Sequence, residues 1–272
     1  MYRYMEKMMK WNAQPARIAK VIARAGLCSR REAERWIKAG RVTINGEVWK
    51  DPAINIDTVD GVEVDGVALP VNEPVRVWRY HKPVGLLTTE RDPEKRKTIF
   101  DFLPSDLPRV ISVGRLDVNS EGLLLLTNDG ELSRQFELPA MGWERHYRVR
   151  VFGRPQKDSL RALANGISVA GIRYAPIDVK LDDRSGANGW LTMTLREGKN
   201  REIRKVCEYF GWRVNRLIRI GYGPFELGNL KRGEIEEVLS RKLAEHIEPN
   251  IISHMERKEK GTNQNDKKGR RI

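Results

Sequence analysis

A carboxylate set beside a guanidinium, just ahead of an apolar run, is the first arrangement in the chain able to do chemistry. In Gly114-Arg115-Leu116-Asp117-Val118-Asn119-Ser120-Glu121-Gly122-Leu123-Leu124-Leu125-Leu126-Thr127-Asn128-Asp129-Gly130, Asp117 sits on a loop before a strand-like stretch over 121–127. A loop carboxylate held by a buried strand is a reasonable place for chemistry, because the scaffold keeps it still. Arg115 beside it reads as an ion-pair or phosphate-contact residue. A second segment, Glu144-Arg145-His146-Tyr147-Arg148-Val149, opens an alternating strand, where a tyrosine ordinarily packs. A third, Arg196-Glu197-Gly198-Lys199-Asn200-Arg201-Glu202-Ile203-Arg204-Lys205-Val206, places a glycine turn before a helix whose first turns are strongly basic. Ile203, Val206, Cys207 and Phe210 give that helix an apolar stripe, with Arg204 near its edge. Asp117 and Asp129 invite comparison with a two-carboxylate nuclease, but the apolar strand between them separates the two by its full length and no third acid is close. These residues alone do not name a reaction.

The elements that must position them fall into two units. With 272 residues, more than one domain is expected, and 50 Lys+Arg against 37 Asp+Glu give a net charge of +13, the electrostatic footprint of a protein that meets a polyanion. Phosphate contacts of this kind weaken steeply as salt rises. No apolar run reaches membrane-spanning length and the start lacks a signal-peptide pattern, so the chain is expected in the cytoplasm, away from membranes. Cys28 and Cys207 follow no metal-ligand spacing and read as buried small residues, and the four histidines, His81, His146, His246 and His254, are scattered. No metal and no cofactor are expected.

In the first unit, 15–70, Ile18, Val21, Ile22 and Ala25 recur at helical spacing until Gly26. Ser29 with Glu32 three residues on is a capping-box signature for a second helix, whose apolar face is Ala33, Trp36 and Ile37. Its exposed side carries Arg30, Arg31, Arg35 and Lys38. Short alternating strands follow at 42–44, 47–49 and 62–64, joined by the tight turns Asn45-Gly46 and Asp65-Gly66. A linker with two flanking prolines is expected at 71–75, then a second unit over 76–248, and a basic disordered tail over 251–272. Within the second unit the patterns predict a strand from Val75 to Tyr80, strands over 121–127, 145–152, 173–181 and 189–196, and helices over 130–136, 156–164 and 200–210. The fold class is α+β, a mixed and largely antiparallel sheet preceded by a small helical-hairpin module.

The run GRLDVNSEGLLLLTNDG resembles the catalytic-aspartate motif of the RNA pseudouridine synthases, in the branch of small-subunit synthase A and large-subunit synthases B, E and F. The segment around Tyr147 and the run EGKNREIRK resemble two further motifs of that family, in the same order, and His81-Lys82-Pro83 resembles its lysine-proline motif. SRREAERWIKAGRVTINGEV resembles an S4 RNA-binding module, and together with the DVNS wording it tilts the likeness toward the large-subunit type B. The resemblance implies that Asp117 is the catalytic nucleophile that isomerises a uridine to pseudouridine, acting either on the sugar or by taking a proton from it. It implies that Tyr147 stacks on the displaced uracil, that Arg115 helps to flip the nucleotide, and that Arg204 pairs with Asp117, with Arg201 as the substitute. Lys199 and Lys82 would then bind substrate or phosphate, or Lys82 would support the loop, and Arg30, Arg31, Arg35 and Lys38 would meet structured RNA. The implied partner is large-subunit ribosomal RNA or a ribosome-assembly intermediate, met by a monomer. A noncatalytic S4-type RNA-binding protein on the same fold stays open at this point, as does a synthase acting on another ribosomal site.

Overall fold

The computed structural model describes residues 15–70, 74–239 and 243, without the side chains of 184 and 185. Most of the expected linker, 71–73, and the whole basic tail lie outside the described residues.

The first unit begins with β1 (Ala16–Arg17), which pairs antiparallel with β4 (Asn55–Ile56). Between them come α1 (Ile18–Arg24), α2 (Arg30–Lys38), β2 (Val42–Ile44) and β3 (Glu47–Trp49), with β5 (Val62–Val64) and β6 (Val67–Ala68) following. Four of these strands form a sheet in the order β3-β2-β5-β6. The helices bury Ile18, Ile22, Ala33 and Ile37 against Val42 and Val62 of the sheet. Ser29 caps α2 by accepting the Glu32 amide at 3.3 Å, as expected. The reciprocal half of the box is replaced: the Glu32 carboxylate turns to Arg35 and, at 3.2 Å, to Arg91 of the second unit.

The second unit is built on a nine-stranded sheet. Its strands are β7 (Val77–Lys82), β8 (Ile111–Val113), β9 (Glu121–Thr127), β10 (Arg145–Phe152), then, past the small hairpin of β11 (Ile167–Val169) and β12 (Ile172–Tyr174), β13 (Asp178–Ser185), β14 (Asn188–Leu195), β15 (Arg213–Tyr222), β16 (Phe225–Glu226) and β17 (Ile235–Glu237). Three helices pack on it, α3 (Gly130–Glu137), α4 (Lys157–Ala164) and α5 (Glu202–Tyr209). The order is β13-β14-β10-β15-β9-β7-β17, with β8 on β9 and β16 on β15. Every pairing is antiparallel except β9 with β15, which run parallel over only Glu121↔Ile218 and Gly122↔Arg219.

That short seam joins the two halves of the sheet, and Gly122 is what permits it. The residue has φ +107°, and a Cβ there would stand 2.2 Å from the Arg219 carbonyl oxygen. β9 is buried at every position, as its unbroken apolar run requires for a central strand. Beyond it Asp129 caps α3, accepting the amides of Glu131 and Leu132 at 2.8 Å each, so this carboxylate is committed to the helix rather than to any catalytic pair. The first unit docks here: Lys20 reaches Glu131 at 2.5 Å and Arg24 reaches Asp129 at 3.4 Å.

Three expected elements shift. The strand placed at Val75 begins at Val77 and runs on to Lys82. The strand expected over 173–181 divides into β12 and β13 around Pro176, which has no amide to donate to a ladder. The helix expected from 200 starts at Glu202, because Arg201 takes a left-handed conformation at φ +51°.

Candidate active site

One row of the sheet organises the site. By register, Lys82 of β7 lies opposite Gly122 of β9, Gly122 opposite Arg219 of β15, and Arg219 opposite Tyr147 of β10. The loop bearing Asp117 is the approach to β9, so it stands over this row.

Five consecutive carbonyls hold that loop in place. The Thr88 hydroxyl donates to Leu116 O at 3.0 Å, and the Gly85 amide donates to Val118 O at 2.7 Å. Lys82 Nζ donates to Asp117 O at 3.1 Å and Ser120 O at 3.0 Å, while Arg204 Nη2 donates to Asn119 O at 2.8 Å. The Ser120 amide closes the turn onto Asp117 O at 2.9 Å. With its backbone acceptors engaged from 116 to 120, the loop has little freedom left.

Lys82 is 0% exposed, and its third donor goes to Pro83 O at 3.0 Å. Burial pulls its ammonium down to about 8, against the charges of Asp117 and Glu121, which favour the protonated form. An ammonium has three protons, and three carbonyls take them. Of the two roles expected for Lys82, this geometry fits support from beneath the loop and leaves no proton for a substrate or phosphate contact.

The Asp117 side chain stays partly open, at 35% exposure, and faces Arg201, whose Nη1 is 3.6 Å from Oδ2. The bidentate pair expected between Asp117 and Arg204 is not formed. Arg204 instead reaches the backbone, donating to Asn119 O and, at 3.3 Å, to Val214 O, with its Nε buried. The reason lies in the start of α5. The left-handed Arg201 precedes the helix and its side chain is turned to the cleft, whereas Arg204 lies at the edge of the buried stripe of Ile203, Val206 and Cys207. Burial and the neighbouring charge of Arg201 lower the Arg204 guanidinium, and Asp117 opposes both.

Lys199 is also occupied. Its Nζ donates to Arg173 O at 2.8 Å and to the Glu197 carboxylate, and lies 5.7 Å over the Tyr174 ring, which ties it into the turn rather than to a substrate. Glu202, not among the expected site residues, is 3% exposed and accepts the Lys199 amide at 3.0 Å. Burial, with the Glu197 carboxylate beside it, raises Glu202 to about 7. Glu197 is held low against its own burial by Lys199 and the Ala175 amide. The one mark of Glu202 in the sequence is an acid at the first position of the helix, next to the apolar stripe of Ile203 and Val206.

Tyr147 packs against two apolar clusters, one with α4 and α5 and the other with Leu116, the residue before Asp117. Arg115 is exposed and makes no ion pair among the described residues. In the first unit Arg30, Arg31, Arg35 and Lys38 all lie exposed on α2. Two are partnered along their own helix, Arg30 with Glu34 at 3.5 Å and Arg35 with Glu32. Cys28 and Cys207 are buried free thiols, pushed by burial up to about 11 and about 12, which removes thiolate chemistry from the site. Among the described residues no cluster of His, Cys, Asp and Glu could hold a metal ion, and no helix is long and apolar enough to cross a membrane.

Comparison with known proteins gives a consistent result. The sequence pattern of the RNA pseudouridylate synthase family matches residues 76–209, and that of the S4 domain matches residues 16–64. A Rickettsia felis protein named as an uncharacterized RNA pseudouridine synthase is 48% identical over 227 residues, covering 84% of this chain and 98% of that one. The Escherichia coli O6:H1 protein named ribosomal large subunit pseudouridine synthase B is 42% identical over 242 residues, covering 85% and 83%. Among solved structures, a crystal structure of a pseudouridylate synthase superposes with a TM-score of 0.60 at 27% identity, covering 85% of this chain and 99% of that one. With the expected motifs gathered around one cleft and relatives aligned across both units, the chain belongs to the RNA pseudouridine synthases, as a member with an amino-terminal S4 domain.

Proposed function

We propose that this synthase converts a specific uridine of large-subunit ribosomal RNA to pseudouridine, with Asp117 as the nucleophile. The observation that carries the reading is the Asp117 loop itself. Its backbone is fixed by five engaged carbonyls while its carboxylate is left open beside a cation. Positioning of this kind supplies much of what a covalent step needs.

The reaction is an isomerisation. The bond from the sugar to N1 of uracil breaks, the ring turns, and a bond from the sugar to C5 forms. The proton displaced from C5 leaves to a base and N1 gains one, so no atom is lost or added. Asp117 attacks the sugar and accepts it covalently, and no cofactor is needed for that role. Arg201, 3.6 Å away, orients the carboxylate toward the sugar. Tyr147 forms the wall against which the displaced ring stacks and takes the C5 proton, as the target base leaves its helix to enter the cleft. Arg115, exposed beside the loop, fills the place of the extruded nucleotide.

The ribosomal large subunit is supported by the Escherichia coli relative named for it, whose likeness covers 85% of this chain. The test is incubation of the purified protein with unmodified ribosomal RNA transcripts, then carbodiimide treatment and primer extension. A new stop on large-subunit RNA, absent with Asp117→Asn, is the expected result. Asp117→Asn should abolish turnover and leave RNA affinity within a few fold, since one charge among many basic contacts changes. Near-normal turnover in that variant would remove Asp117 from its role, and a stop confined to small-subunit RNA would overturn the substrate.

A further inference from the structure

We propose that the open face of β10, β14 and β15, on the side of the sheet away from the Asp117 cleft, is a second RNA-binding surface that grips the sugar-phosphate backbone of an RNA segment other than the one entering the cleft. The inference rests on the substrate being RNA, and not on which RNA it is.

The strand register defines the face. Tyr147, Val149 and Val151 point to the cleft side, where they join Leu191, Met193 and Leu217 under α4 and α5. The alternate residues of β10 therefore point the other way. There Arg150 lies opposite Trp190 of β14 and Arg216 of β15, and Phe152 lies opposite Arg213. α3 and its aromatic partners Trp143 and Phe225 cover the β9 end of this side, in the cluster that takes in Ile218 and Ile220, but Arg148, Arg150, Phe152 and Arg213 remain exposed.

Three features of the face point to phosphate. First, Arg150 lies directly across from Arg216, whose charge is met by the buried Glu121 at 2.5 Å, so the Arg150 guanidinium is the one left to draw an anion. Second, the acids of this side, Asp182 and Asp183, lie along the β13 edge, where Asp182 accepts the Thr192 hydroxyl at 2.7 Å, and none pairs with Arg148, Arg150 or Arg213 among the described residues. Third, Arg148 stacks over the Trp190 ring at 4.9 Å and Arg213 over Phe152 at 5.1 Å. Stacking occupies the flat faces of a guanidinium and leaves its N–H edges free, the geometry that receives a phosphate in bidentate fashion. The basic stretch from 251 onward is a poor match in charge for such a surface. An RNA backbone meets all three features, and α2 of the S4 domain shows the contrast, where two of four cations already have acids along the helix.

The experiment compares the full chain with the triple variant Arg148→Gln, Arg150→Gln, Arg213→Gln. All three positions are exposed, and thermal unfolding checks that the fold is intact. Binding to a protein-free large-subunit RNA transcript is titrated between 50 and 200 mM salt. The expected result is affinity at least roughly tenfold weaker in low salt, with the salt slope smaller by about two, as fewer phosphates are neutralised. Single-turnover rates at saturating enzyme should stay unchanged, because none of the three touches the cleft. Unaltered affinity and slope would overturn the proposal. So would a loss seen only with ribosome-assembly particles and not with protein-free RNA, which would assign the face to a protein. Failure of the wild-type chain to make pseudouridine would count against the proposed function and leave the binding comparison standing.

Discussion

The floor beneath Asp117 and the outer side of α2 are both rich in positive charge, and they use it in opposite ways. Lys82 and Arg204 turn inward and donate to the carbonyls of a single loop, whereas Arg30, Arg31, Arg35 and Lys38 face water. In the floor the cation is a structural donor, worth most because removing it leaves buried acceptors without partners. On the helix it is a solvent-facing charge, screened by salt and nearly neutral for folding. A basic residue in an RNA enzyme is thus no evidence of RNA contact until its burial is known.

The contrast predicts a graded set of effects. Lys82→Met should be the most damaging, destabilising the fold by about 3 kcal/mol, since three carbonyls lose their donor at once. Urea unfolding measures this, and an unchanged midpoint with normal turnover would dissolve the idea of a floor. Next, Arg201→Ala and Arg204→Ala should separate. The first should lower kcat by roughly a hundredfold with little loss of stability, as an electrostatic partner of the carboxylate is removed. The second should cost about 1–2 kcal/mol as well, through the exposed backbone acceptors of Asn119 and Val214. Equal behaviour of the two in both assays would erase the distinction between cleft and support.

Glu202 sharpens the comparison through pH. Its folded value of about 7 lies above that of an ordinary glutamate, because burial and Glu197 disfavour the charged form. Its contribution is therefore present in full below the unfolded value and is lost as pH rises through about 7. The wild-type chain should be less stable at pH 8 than at pH 6 by about 1 kcal/mol from this group, and Glu202→Gln should flatten that difference. A variant with the wild-type slope would show that the buried acid does not couple to the turn. The smallest effect on folding belongs to the helix face: Arg31→Gln with Lys38→Gln should leave stability within about 0.5 kcal/mol while weakening RNA binding a few fold and reducing its salt slope by roughly one to two.

Much of this was legible before any coordinates. Ile18, Val21 and Ile22 announced α1 by spacing, Ser29 announced the start of α2, and the unbroken apolar run of β9 fixed the loop on which Asp117 had to lie. These signals are local, carried by periodicity and caps. Lys82 was not legible in the same way. Lysine marks the surface in most sequences, and its burial depends on carbonyls some 35–38 positions away converging on one ammonium. The exchange of Arg204 for Arg201 turned on one backbone angle, a positive φ at a non-glycine residue, which a sequence seldom declares. Pro176 could have divided the strand at 173–181 in advance, since a proline inside a strand pattern argues against its continuity.

The seam at Gly122 has a consequence for how such a cleft can evolve. Lys82, Gly122, Arg219 and Tyr147 form a single file across four strands, so the breadth between the loop support and Tyr147 is a whole number of strand spacings, each about 4.8 Å. Substitution cannot widen that gauge by degrees. A methyl group at 122 would collide with the Arg219 backbone and part the file in the middle, and with it the two sides of the cleft.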